Sequence, residues 1–121
     1  MVKALFDTHI LIDYLNVIPK AKAELALNTD KAISIVSWME IQVETKLNDQ
    51  AAVDQFLLGF SICPIDMPVS TRAVALRRSC KIKLPDAIIW ATAQCQQRLL
   101  MTRDSKDFSP TALGVRVPYI L

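Results

Sequence analysis

The sequence predicts an α/β domain, a three-layer α/β/α sandwich built on a central, mostly parallel sheet. Two observations carry that prediction. Short apolar runs rich in β-formers alternate with longer amphipathic ones, as in a parallel sheet covered by helices on both faces. The length of 121 residues, 52% of them apolar, suits one domain with a single core and no staples. Residues 1–121 therefore read as one domain, with no internal repeat and no linker.

Residues 2–6 form the first strand, buried and apolar. A short helix over 9–16 follows. Pro19 opens a second helix over 19–28, at a position where its missing N–H does no harm. Ala32 to Val36 make the next strand. Ser37-Trp38-Met39-Glu40 has the form of a capping box, so a helix is expected from there to about Leu47. Asn48 or Asp49 caps the next helix, which ends near Gly59. Residues 61–65 are a short strand, marked by Pro64 as an edge or a strand end. A basic helix over 68–79 and an apolar one over 85–97 lead to a strand over 99–102, and 115–117 is the last.

Four acids stand out against this frame. Asp7 caps the first strand, Glu40 falls in a first helical turn, Asp86 opens an apolar helix, and Asp104 follows the strand ending at Thr102. In an α/β fold, carboxyl ends of strands and first helical turns converge on one crevice. Carboxylates crowded there resist ionising unless a cation neutralises them, so the set predicts a divalent metal site and phosphoryl-transfer chemistry. No Cys–His or His–His pair stands at metal spacing. Oxygen ligands alone favour Mg²⁺, with Mn²⁺ as the alternative. Such an ion polarises a phosphate and acidifies a bound water, and no nucleophilic side chain is needed. His9 is the only histidine.

Each acid also has an ordinary use. Asp7 suits a helix cap, Glu40 the return half of a capping box, Asp86 the positive end of its helix, and Asp104 a solvated loop beside Arg103 and Lys106. Thr8, Ser37 and Thr102 are placed to orient carboxylates or waters, or to make local backbone bonds. Arg103 and Lys106 could grip a substrate phosphate; ordinary solvated charge is an equal reading. The run from Arg72 to Lys83 reads as a wet helix face, or as a track for RNA or for an acidic segment of a protein partner. Trp38 and Trp90 read as core or interface. Asp13 is expected to face solvent, and Asp30 and Asp49 to sit in turns or caps.

These stretches resemble the motifs of PIN-domain proteins. Asp7-Thr8-His9-Ile10-Leu11 is similar to the opening Asp-Thr-Asn or Asp-Thr-His motif. Ser37-Trp38-Met39-Glu40-Ile41 is similar to the Ser-x-x-Glu-Leu motif. Leu84-Pro85-Asp86-Ala87-Ile88-Ile89-Trp90 is the most specific match. Met101-Thr102-Arg103-Asp104-Ser105-Lys106-Asp107-Phe108 resembles the fourth motif, with Asp104 where Asn is common, so Asp107 is an alternative fourth acid. The order and size resemble the toxins of bacterial VapBC toxin–antitoxin pairs. That resemblance implies a Mg²⁺-dependent endoribonuclease using Asp7, Glu40, Asp86 and Asp104. It also implies a homodimer and neutralisation by a small antitoxin inserted into the cleft. An RNA-binding or scaffold module with a non-catalytic metal site is the competing reading. Phosphoryl transfer through an aspartyl intermediate, as in haloacid dehalogenase-like phosphatases, would need a second Asp where His9 stands.

Three scattered cysteines, Cys63, Cys80 and Cys95, suggest reduced thiols. No apolar run approaches the ~20 residues that span a bilayer, so the chain reads as cytoplasmic and unattached to membranes. Only Gly59 and Gly114 are glycines, which excludes a Gly-rich phosphate loop. A formal charge of +2 is too small for a general nucleic-acid coat, while the apolar surplus suits a protein partner.

Overall fold

The computed structural model describes residues 3–104, 108 and 112–121. Among them, five strands form one sheet: β1 (Lys3–Phe6), β2 (Asp30–Ser34), β3 (Ser61–Cys63), β4 (Leu99–Met101) and β5 (Val115–Arg116). Their order is β3-β2-β1-β4-β5 and every neighbouring pair is parallel. The helices are α1 (Thr8–Leu15), α2 (Pro19–Ala26), α3 (Ile35–Glu44), α4 (Gln50–Leu57), α5 (Met67–Cys80) and α6 (Leu84–Cys95), with one 3-10 turn at Leu47–Asp49 before α4. The expected three-layer α/β/α architecture is present. Among the described residues no helix is long and apolar enough to cross a membrane.

Alternation along β1 builds the two halves of the core. Leu5 points to one face, where α5 and α6 supply Val69, Ala73, Leu76, Ile89 and Trp90. Ala4 and Phe6 point to the other, where α1, α2 and α4 supply Ile10, Leu11, Ala21, Leu25, Val53 and Leu57. Helix α3 contributes to both halves, giving Val36 to the first cluster and Ile41 to the second. β3 is an edge strand, as Pro64 suggested.

The β2–α3 junction corrects the sequence reading. The strand starts at Asp30, which pairs with Lys3 of β1, and is complete by Ser34. Ser34, not Ser37, is the N-cap, and its hydroxyl accepts from the Val36 amide at 3.1 Å. Glu40 therefore lies in the second turn of α3, and there is no capping box. Ile35 and Val36 favour strand by propensity, but here packing overrides it, because Val36 fills the core beside Leu5. Two aspartates also depart from expectation. Asp30 opens a strand, and its carboxylate pairs with Arg98 at 2.8 Å. Asp13 is buried, 4% exposed: it stands three residues after Ile10, on the inward face of α1.

Candidate active site at the switch point of the sheet

The strand order reverses between β1 and β4, which run parallel. The chain leaves β1 toward β2 on one side, and β4 returns on the other. At such a switch point the loops after the two strands part, leaving a crevice at their carboxyl ends. Asp7 follows β1 and Thr102 follows β4, and the Asp7 amide donates to the Met101 carbonyl at 2.9 Å.

Asp7 is 1% exposed. Its Oδ1 accepts from the Thr8 amide at 2.8 Å, capping α1, and its Oδ2 accepts from the Thr102 hydroxyl at 2.8 Å. Cap and site are thus one arrangement, since the bond that starts the helix also orients the carboxylate. Burial drives its pKa above the ordinary value, and the nearby Asp104 adds to the rise. The Thr102 hydroxyl, His9 and the Thr8 amide oppose it without reversing it. Among the described residues no side-chain cation is in ion-pair contact with Asp7.

Asp7, Thr8, His9, Ile12, Met39, Glu40, Val43, Glu44 and Asp86 line one cleft of about 540 Å³. Asp86 reaches it from the first turn of α6, and Glu40 from α3. The Thr8 Oγ1 lies 2.8 Å from Glu40 Oε1 and 2.9 Å from Ser37 Oγ. Thr8 has one proton and a carboxylate only accepts. Thr8 therefore donates to Glu40 and accepts from Ser37. Ser37 and Glu40, three apart on α3, share the face that meets Thr8, so the spacing that suggested a capping box serves the cleft instead.

Asp104 lies beyond Thr102 and outside the cleft lining, within electrostatic reach of Asp7. Its amide donates to Thr102 Oγ1 at 3.0 Å. Thr102 is thus held between Asp7 and Asp104. Arg103 turns away to Asp13: Nε donates to Oδ2 at 2.6 Å and Nη2 to Oδ1 at 3.2 Å. Asp107 and Lys106 lie outside the described residues. Trp90 is core, edge-on to Phe108 with ring centroids 5.6 Å apart, and Trp38 packs against the other core cluster.

Sequence reasoning missed three residues. Glu44 lines the cleft one helical turn beyond Glu40, a spacing that could have revealed it. Asp13 was signalled by its register with Ile10. Tyr119, whose hydroxyl donates to Asp13 Oδ2 at 2.8 Å, had no local signal. Burial, with the Asp13 bond next, pushes the Tyr119 hydroxyl well above its usual pKa, so it remains the donor.

Does this donor set fit a divalent ion? Its chemistry does: the cleft acids offer hard oxygen ligands, and the buried Asp7 carboxylate, in no ion pair among the described residues, is one that a cation would favour. Yet among the described residues no three acid, His or Cys side chains are drawn together closely enough to hold an ion as they stand. Unscreened carboxylates repel, and hydroxyl partners hold those of Asp7 and Glu40 in place. The acids share a cleft without forming a closed ligand set.

Comparison with known proteins decides the family. The sequence profile of the PIN domain matches residues 4–112. The chain belongs to the PIN-domain family. A chain of a toxin–antitoxin complex from Klebsiella pneumoniae is 43% identical, with a TM-score of 0.93 over 98% of this chain and 100% of that one. Two further solved structures share the fold. One is FitAcB from Neisseria gonorrhoeae, with 22% identity, a TM-score of 0.81 and coverage of 98% and 99%. The other is DNA-bound VapBC from Salmonella typhimurium, with 20% identity, a TM-score of 0.78 and coverage of 96% of each chain. No match was found among curated proteins.

Proposed function

We propose that this PIN-domain protein is the toxin of a toxin–antitoxin pair and that it hydrolyses RNA as a Mg²⁺- or Mn²⁺-dependent endoribonuclease. The observation that carries this reading is the buried Asp7 carboxylate at the switch point, in a cleft shared with Glu40 and Asp86. Membership of a nuclease family and the 43% identical chain of a toxin–antitoxin complex support it.

Asp7, Glu40, Asp86 and Asp104 would hold the ion, with Asp107 the alternative to Asp104. When bound, a divalent cation neutralises phosphate charge and lowers the pKa of water toward neutrality. The chain's own residues do the rest. Thr102 and the Thr8 amide fix the two oxygens of Asp7. Ser37 and Thr8 relay one hydrogen bond to Glu40 and so fix its carboxylate. His9, exposed on the rim, brings positive charge toward an anionic substrate when protonated.

Exposed Met39 and Val43 beside acids suit an antitoxin segment carrying apolar and cationic side chains. Leu47, Leu58 and Met67 are among further exposed apolar residues, which fits burial against a second copy. Light scattering on the purified chain tests for the dimer.

The deciding experiment incubates the full chain with RNA in Mg²⁺ or Mn²⁺, with and without EDTA, beside Asp7→Asn and Glu40→Gln. Cleavage that needs the metal and both carboxylates is expected. Equal rates in all three proteins would reject the mechanism. The open ligand set favours one competing reading, an RNA-binding or scaffold module with a non-catalytic site. Calorimetry detecting Mn²⁺ binding without cleavage would establish it.

A further inference from the structure

The β4-end segment is fastened to α1 at two points. Near the start of α1, the Thr102 hydroxyl bonds Asp7. Nearly two turns on, Arg103 makes a two-pronged ion pair with the buried Asp13. A carboxylate with so little exposure needs nearly all its lone pairs filled. Tyr119 supplies a third donor to it, from a ring packed in the core cluster of Phe6 and Ile10. The C-terminal segment is held again where the Lys20 ammonium donates to the Ile120 carbonyl at 3.1 Å.

Arg103 is bonded in sequence to both Thr102 and Asp104. Its guanidinium cannot stay on Asp13 while those neighbours rotate freely, and Thr102 Oγ1 touches Asp7 and the Asp104 amide together. We infer that Asp13 and Tyr119 are positioning residues of the cleft, which hold Arg103 so that the Thr102–Asp104 segment keeps Asp7 and Asp104 in register. The inference rests on the functional reading above only in treating those two acids as the working groups. It gives Arg103 a task other than gripping phosphate, and it gives the C-terminal segment a part in the site.

A merely structural ion pair predicts something different, and the molecule contains the control. Asp30–Arg98 is also a partly buried Asp–Arg pair, but it lies at the amino ends of the strands. The test compares Tyr119→Phe, Asp13→Asn and Asp30→Asn in the full chain. Two quantities are read: hydrogen exchange of the Asp7 and Asp104 amides in metal-free protein, and the Mn²⁺ concentration giving half the thermal shift. Tyr119→Phe and Asp13→Asn are expected to speed exchange at both amides and to raise the Mn²⁺ requirement roughly 10-fold. Asp30→Asn should change neither. If Tyr119→Phe and Asp13→Asn behave like Asp30→Asn, the proposal is overturned. Should Asp13→Asn fail to fold, Tyr119→Phe, which removes one hydroxyl, decides alone. Should the wild-type chain show no Mn²⁺ response, the functional reading fails, and the exchange comparison still decides the positioning role.

Discussion

The amino and carboxyl ends of this sheet use similar residues to opposite ends. At the amino end, Arg98 closes the structure: its Nη1 reaches Asp30 Oδ1 at 2.8 Å and the Ala4 and Asp30 carbonyls at 3.4 and 3.5 Å. The hydrogen bond from Arg98 lowers the Asp30 pKa. At the carboxyl end, Arg103 is drawn away to Asp13, and among the described residues Asp7 is bonded by hydroxyl and amide donors and is in no ion pair, its pKa raised by burial. One end is stabilised by its charges; the other keeps a buried carboxylate at a cost to stability. Strain of that kind belongs at functional sites, where something else offsets it.

Removing Asp7's charge tests this contrast most sharply. Asp7→Asn keeps the acceptor for the Thr8 amide, and Thr102 can rotate to accept from the new amide group. The metal-free protein should melt at a higher temperature than wild type, while RNA cleavage falls by about 100-fold or more. Calorimetric melting and single-turnover cleavage check the two halves. A drop in both would mean that Asp7 is simply a structural cap.

The next effect comes from the relay to Glu40. Thr8→Val keeps the shape but removes the proton that Thr8 gives to Glu40. Cleavage should fall roughly 10-fold, with about 1–2 kcal/mol lost in stability from the unpaired Ser37. Thr8→Ser should recover most of the rate. A valine variant as active as wild type would remove Thr8 from the site.

Much of this was legible in the sequence, for physical reasons. Asp7 and Asp86 stood out because a carboxylate next to an apolar strand or inside an apolar helix is out of place by hydropathy, and both line the cleft. Glu40 stood out as an acid in a first helical turn and lies instead in the second; the three-residue spacing from Ser37 is real, but it faces Thr8 and forms no capping box. The β2–α3 boundary was misread because Ile33, Ile35 and Val36 look alike to local propensity, and only packing against Leu5 separates strand from helix. The Asp13–Arg103–Tyr119 network joins residues up to 106 positions apart, and no local window contains such a pairing.

Titration should separate the two ends by sign. A carboxyl whose folded pKa is raised stabilises the fold when protonated, so the contribution from Asp7 is complete below 3.8 and is lost as pH rises through its folded value. Asp30 is the reverse: its contribution is present above 3.8 and is lost as pH falls through the lowered folded value. The gain in melting temperature of metal-free Asp7→Asn over wild type should therefore grow from pH 4 to pH 7. The deficit of Asp30→Asn should shrink toward pH 3. Parallel curves for wild type and Asp7→Asn would show that the buried carboxylate is not linked to folding.

The smallest predicted effect lies far from the acids, where α1 turns into α2. Pro19 forces an extended Ile18 before it, so the reversal falls on Val17, whose φ is +61°. A β-branched side chain is costly in that left-handed conformation, and with 84% exposure Val17 gains little from packing. Its amide donates to the Tyr14 carbonyl at 3.0 Å, a bond that any residue except proline preserves. Asn tolerates positive φ through its short polar side chain. Val17→Asn should therefore raise stability by roughly 0.5–1 kcal/mol with cleavage unchanged, because nothing from this turn lines the cleft. A fall in melting temperature would show that Val17 contributes packing over the stacked Tyr14 and Phe56 rings, whose centroids are 4.4 Å apart, and that this outweighs the backbone strain.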